Sequence, residues 1–219
     1  KDGKSVLNAY SEKSVGKIDE DGSILISARN LFDEITENAW KGGCPGIIFL
    51  DRLERNNTTS HVGKIEATNP CGEQPLPNYE ACNLGAINIS DCVKDKDVDW
   101  GKIEKRAQMG VHFLDNVIDM SKFPFKKIYG RVHGNRRIGL GLMGWAEMLS
   151  ELGIEYDSPK AIELAGKISF YLTEVGLKKS EELAEKRGVF PNWEGSKWEK
   201  EGKKVRNATI TTIAPNGTT

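Results

Sequence analysis

From Ala28 to Lys41 the apolar residues Leu31, Phe32, Ile35, Ala39 and Trp40 recur at helical spacing, and Gly42-Gly43 ends the run, which predicts a helix. The pattern then changes. "GIIFLD" (46–51) is a continuous apolar run closed by a charge, and it predicts a buried strand that opens at Asp51. "CNLGAINIS" (82–90) predicts a second strand. Trp100, Ile103, Ala107, Val111, Leu114, Val117 and Ile118 mark one face of an amphipathic helix. "RRIGLG" (136–141) predicts a short strand, with "LMGWAEMLSELG" continuing as a helix to Gly153. Ser158-Pro159 sets an N-cap before a proline at the first helical position, and that helix runs to about Arg187 before Gly188. The β-branched "NATITTIAP" (207–215) predicts a final strand. Ile24 to Ile26 hint at a short strand or turn, residues 1–22 are polar and expected to be irregular, and 54–63 read as a polar loop. Residues 64–80 hold three prolines and Gly72 and form no single regular element. Strand and helix alternate, so the fold class is α/β with a mostly parallel sheet.

Composition narrows the functional classes. The chain has 219 residues, is 38% apolar and 29% charged, and has a net charge of −1. That balance is globular and offers no electrostatic case for a nucleic-acid backbone or an anionic membrane. No apolar run is long enough to span a bilayer, and the polar N-terminus has no signal core. Cysteines at 44, 71, 82 and 92 form no CxxC pair and no zinc-like spacing with histidine. A disulfide framework is not expected, and a cytoplasmic location is. The chain starts at Lys1 and stops just after the turn in "TTIAPNGTT", so a segment of something longer is expected.

The candidate chemistry sits in "TNPCGEQPLPNYEACNLG" (68–85). Pro70 restricts Asn69 to an extended conformation, and Gly72 permits a sharp bend or a close approach. If 69–73 is extended, the amide of Asn69, the thiol of Cys71 and the carboxylate of Glu73 share one face. No histidine or cation lies close in sequence to make Cys71 a thiolate, and Glu73 acts in the opposite sense. A protonated thiol suits hydrogen-atom chemistry, with Glu73 as a base on a substrate hydroxyl and Asn69 orienting it. The plainer reading is that Cys71 packs in a Pro/Gly loop.

"NPCGEQPLPNYEACNLGAINIS" resembles the active-site segment of ribonucleotide reductase large subunits, and its "NPCGEQPL" wording resembles the adenosylcobalamin-dependent class II enzymes. "AWKGGCPGIIFLDR", "FLDNVID", "RRIGLGLMGWAEML", "EKRGVFPNW" and "RNATITTIAPNGTT" follow the family's order as well. The resemblance implies that Cys71 is the thiyl-radical cysteine that abstracts the ribose 3′ hydrogen. It implies that Glu73 is the base for the 3′ hydroxyl, Asn69 the amide on the substrate hydroxyls, and Cys82 one of two cysteines that reduce the 2′ position and end as a disulfide. The partner of Cys82 is expected upstream of Lys1. "APNGTT" resembles the family's phosphate loop, which implies substrate binding by Ala214, Pro215, Asn216, Gly217 and Thr218, with Asn216 in place of a threonine. Cys44 stands where the family has aspartate and reads as a small buried residue; Cys92 reads as core or strand end.

Three other features have mainly structural readings. "GLGLMG" (139–144), with Glu163 downstream, matches a dinucleotide-binding pattern, but close packing through small residues is the preferred reading. Asp115 and Asp119 read as solvated or capping, and "KKSEELAEKR" as an exposed helix face. Trp193 and Trp198 read as loop anchors.

The resemblance implies part of a ten-stranded α/β barrel, residues 1–219 being an incomplete catalytic domain with the cysteine loop at about 64–81 and the phosphate-like end at 214–219. It implies adenosylcobalamin as cofactor, or else a radical from a separate metal-containing subunit. It also implies a ribonucleotide substrate, a dithiol reductant such as thioredoxin, the remainder of the barrel as partner, and a homodimer at full length. The isolated chain is expected to be inactive. A structural role for an inactive copy and a nicotinamide-dependent reductase built on "GLGLMG" stay open as alternatives.

Overall fold

The computed structural model describes residues 5–7, 14–18 and 24–216, with side chains from Ile26 onward. The chain divides into two units between Phe49 and Leu50. In the first, β1 (Ser5–Leu7), β2 (Ser14–Ile18) and β3 (Ile24–Ile26) form an antiparallel sheet in the order β1-β2-β3. Helix α1 (Ala28–Gly42) follows, with the Ser27 hydroxyl accepting from the Asn30 N–H at 3.3 Å and Gly43 closing the helix at φ 77°. β1 and β2 correct the expectation of irregular chain before residue 22. Their stability comes from cross-strand pairing, which a short polar stretch does not advertise.

The predicted strand at 46–51 is also corrected. Residues 44–49 form no regular element, Ile47, Ile48 and Phe49 are exposed, and Leu50 opens a helix instead. A strand needs a partner for its backbone groups, and no described strand pairs with this run. Cys44 is exposed, contrary to the buried position expected for it.

The second unit begins with α2 (Leu50–Arg55) and a hairpin of β4 (Ala67–Thr68) and β5 (Pro75–Leu76). β6 (Asn83–Asn88) follows, then a small hairpin of β7 (Val93–Lys94) and β8 (Asp97–Val98). The rest is α3 (Trp100–Met120), α4 (Lys126–Asn135), β9 (Ile138–Met143), α5 (Trp145–Leu152), α6 (Pro159–Arg187) and α7 (Lys197–Lys200). β6 and β9 are parallel, with Asn83 opposite Ile138 and Asn88 opposite Met143. Residues 208–212 run parallel beside β9: the Leu140 N–H donates to Ile210 C=O at 2.8 Å, and the Thr212 N–H donates to Leu140 C=O at 3.2 Å. The expected strand at 207–215 is therefore present only as this short bonded run.

The apolar face read from the sequence of α3 is the face that is buried. Ile103, Ala107, Val111, Leu114 and Ile118 join Ile168 and Leu172 of α6 and Ile138 and Leu140 of β9 in one core. Each of the isoleucine, leucine and valine side chains contributes roughly 1.5–3 kcal/mol on burial. α6 starts where expected, with the Ser158 hydroxyl accepting from the Ala161 N–H at 3.2 Å, and ends at Gly188. β9 runs two residues further than predicted, and the helix after it starts only at Trp145 because Gly144 turns the chain at φ 82°. α4 had no counterpart in the sequence pattern: Gly130 and Gly134 weaken its helical propensity. Among the described residues no helix is long and apolar enough to cross a membrane.

Candidate active site

The cysteine loop is a tight turn between β4 and β5. Asn69 C=O accepts from the Gly72 N–H at 3.0 Å, with Pro70 and Cys71 at the two central positions and Gly72 at φ 85°. Proline presets φ at the first central position, and glycine takes the left-handed value without steric cost. Asn69 closes the turn further, its Oδ1 accepting from the Gln74 N–H at 3.0 Å. The segment is therefore not extended, and residues 69, 71 and 73 do not share a face as expected. Cys71 stands exposed in the turn, while Glu73 is half-buried. The Glu73 Oε2 atom is buried without a hydrogen-bond partner, a costly state for a carboxylate oxygen.

Beside the hairpin lies a cavity of about 370 Å³, whose lining includes Thr68, Asn69, Gln74, Tyr79, Glu80 and Cys82. It brings Asn69 and Cys82 together; Cys71 and Glu73 lie outside its lining. Cys82 is half-buried just before β6, its Sγ 3.6 Å from its neighbour's carbonyl, Asn83 C=O. Burial pushes its thiol from 9.0 up to about 12; the Arg137 charge opposes that shift and the Glu80 charge adds to it.

The phosphate-like segment reaches the same region from the other side of β9. The Thr212 hydroxyl donates to Glu73 C=O at 3.2 Å. Ala214 is half-buried and Pro215 exposed. Asn216 adopts φ 45°, a value asparagine tolerates, and its Nδ2 donates to Leu142 C=O at 2.6 Å at the end of β9. Gly217 and Thr218 lie outside the described residues. The "GLGLMG" glycines make room for these neighbours. A Cβ at Gly139 would come within 2.6 Å of Gln74 Nε2 and 2.7 Å of Leu84 Cδ2. Glu163 is exposed on α6 and pairs with Lys167 at 2.6 Å. These contacts agree with the packing reading of the motif.

Two buried polar clusters were missed. Asp115 is fully buried, not solvated: its Oδ1 accepts from Arg136 Nε at 2.9 Å and from Asn207 Nδ2 at 3.0 Å, and its Oδ2 lies 3.2 Å from Arg187 NH1. Asn207 Nδ2 also donates to Arg136 C=O at 3.1 Å, so the cluster anchors the start of the run that leads to the phosphate-like segment. In the second cluster, Arg137 Nε donates to Glu80 Oε1 at 2.9 Å, and Arg137 NH2 donates to Thr59 Oγ1 at 2.6 Å. Adjacent arginines at 136 and 137 in a run without apolar periodicity were the available signal. Cys92 is buried, and Trp193 and Trp198 donate to Lys203 C=O and Ala208 C=O at 2.8 and 2.9 Å, as loop anchors should.

Residues 3–208 match the family model for the ribonucleotide reductase barrel domain. Over 194 residues the chain is 50% identical to a protein of Thermoplasma acidophilum named vitamin B12-dependent ribonucleoside-diphosphate reductase, covering 88% of this chain and 25% of that protein. A Mycobacterium tuberculosis protein of the same name is 46% identical over 191 residues, covering 87% of this chain and 28% of its own length. The solved structure of the Actinobacillus ureae class Id ribonucleotide reductase alpha subunit superposes with a TM-score of 0.71 at 27% identity, covering 87% of this chain and 36% of that one. The chain thus spans about a quarter of the length of the curated relatives it matches. With the family model matching nearly its whole length, the chain belongs to the ribonucleotide reductase barrel-domain family.

Proposed function

We propose that this chain is the segment of an adenosylcobalamin-dependent ribonucleotide reductase that carries the radical cysteine and its base. One observation carries the reading: Cys71 is exposed in a hairpin turn two residues from a carboxylate oxygen, Glu73 Oε2, that is buried without a partner. A hydrogen-abstracting thiol must be reachable, and a base must have a free acceptor oxygen. The names of the relatives support the cofactor and favour a ribonucleoside diphosphate as substrate.

The turn is compatible with a bulky cofactor, since a Cβ added at Gly72 would meet nothing within 4 Å. Pro70, Cys71 and Gly72 are the residues that would face it. When bound, it supplies the one-electron oxidation of the Cys71 thiol. The Cys71 sulfur then takes the 3′ hydrogen atom of the ribose, and Glu73 takes the proton of the 3′ hydroxyl. Asn69, whose Oδ1 is engaged inside the turn, offers its NH2 group to the sugar hydroxyls. The 2′ hydroxyl leaves as water. Cys82 and a second thiol supply the two electrons and become a disulfide, which an external dithiol such as thioredoxin reduces. Ala214 to Thr218 would hold the phosphates.

The test is anaerobic incubation of the full-length protein with adenosylcobalamin, a dithiol and a panel of ribonucleotides, with Cys71→Ser alongside. Deoxyribonucleotide that requires both the cobalamin and Cys71 is expected. Product formed equally by Cys71→Ser would overturn the radical assignment. Product that appears only with a separate radical-generating subunit would overturn the choice of cofactor.

A further inference from the structure

Cys82 shares its cavity with Glu80, one half of a buried ion pair with Arg137 that the proposed reaction does not use. The Glu80 side chain is 0% exposed and that of Arg137 is 3% exposed. Thr59 and Glu80 fix the guanidinium as described above, and Asn135 Nδ2 donates to the same Glu80 oxygen at 2.6 Å. Glu80 Oε2 is left buried without a partner, in a residue that lines the cavity beside Cys82. A buried pair is a poor source of net stability, and one with an unsatisfied oxygen is poorer still. Its position needs another reason.

The charges around Cys82 supply one. In the parallel pairing of β6 with β9 Asn83 lies opposite Ile138, so Arg137 falls opposite Cys82, while Glu80 lines the same cavity as the thiol. An uncompensated guanidinium next to a cysteine favours the thiolate. A cysteine that must pass hydrogen to a sugar is needed as a thiol, and to that extent the inference rests on the proposed function. We propose that the Glu80–Arg137 pair is a positioning element for Cys82: it ties the residue two before the cysteine to the chain entering β9, and it balances the arginine charge beside the cavity that Cys82 lines. Neither residue is assigned contact with the substrate.

Alkylation tests this without turnover, so a failed reductase assay would sink the functional reading and leave this measurement standing. The full-length protein is pulsed with iodoacetamide at several pH values, and the Cys82 and Cys92 peptides are quantified by mass spectrometry. Below its pKa, a thiol reacts about tenfold faster per pH unit as the thiolate fraction grows. Glu80→Gln keeps the shape and removes the charge. It is expected to speed Cys82 alkylation by about five- to tenfold at fixed pH, equivalent to a downward shift of up to about one unit in the profile. Glu80→Asp should remain near the wild-type rate, and Arg137→Gln should slow Cys82. Buried Cys92 reports any opening of the fold. The proposal is overturned if Glu80→Gln leaves Cys82 unchanged while Cys92 stays protected. It is also overturned if Glu80→Asp accelerates the reaction as much as Glu80→Gln, which would mark a lost bond rather than a lost charge. Should Glu80→Gln expose Cys92, Arg137→Gln decides: slower alkylation of Cys82 supports the pair, and an equal or faster rate refutes it.

Discussion

The Thr212 hydroxyl donates to the backbone carbonyl of Glu73 at 3.2 Å across 139 positions of sequence, and so fastens the turn that carries Cys71 to the run that ends in the phosphate-like segment. Thr212→Val keeps the shape and removes the donor. A loss of about 1 kcal/mol in urea unfolding is expected. Turnover of the full-length enzyme should fall by about tenfold or more, because a small displacement of reacting groups is expensive in rate. Thr212→Ser should recover both; if it recovers stability alone, the bond does not align the site.

Glu73 carries a buried oxygen without a partner, which makes it costly to the fold. Glu73→Gln should lower kcat by about 10²–10⁴-fold, the usual contribution of a positioned base. The melting temperature should not fall, since no hydrogen bond to the Glu73 Oε2 atom is lost. A steady-state assay with a thermal scan on the same preparation checks both halves.

Asp115 compensates Arg136, Arg187 and Arg206 from a fully buried position. Asp115→Ala would leave the Arg136 guanidinium buried beside a missing partner. A destabilisation of about 3–5 kcal/mol is expected, measured as a lower denaturant midpoint. A change below about 1 kcal/mol would mean that Asp119, which bonds Arg136 NH1 at 2.7 Å, carries the compensation alone.

Cys82 links stability to alkaline pH. Its thiol is pushed by burial from 9.0 to about 12 in the folded chain, so between those values the unfolded chain loses a proton that the folded chain keeps. Stability from this group is complete below about pH 9 and declines as pH rises toward 12. Cys82→Ala should flatten the alkaline limb of a stability-versus-pH curve; an unchanged limb would remove Cys82 as its cause.

Much of the architecture was legible because it is periodic. The apolar stripe of α3, the Ser158-Pro159 start of α6 and the strand at 83–88 each follow from local spacing and capping. The run at 46–49 misled because apolar character alone does not distinguish a buried strand from an exposed segment that pairs with no described strand. Asp115 was misjudged because burial of a charge depends on cations distant in sequence: Arg136, Arg187 and Arg206.

Linked motifs in order were enough to identify the family and to nominate Cys71, Glu73, Asn69 and Cys82, because residue identity and spacing are local properties. The sequence by itself could not determine how they face one another. What reads as an extended loop is a turn over Pro70 and Cys71 closed at Gly72, so Cys71 is exposed while Asn69 and Cys82 line one cavity. The Glu80–Arg137 pair beside Cys82 and the Thr212–Glu73 bond join residues 57 and 139 positions apart. Burial, charge compensation and hydrogen-bond closure arise only when distant segments pack together, and for that reason tertiary structure decided the chemistry open to each candidate residue.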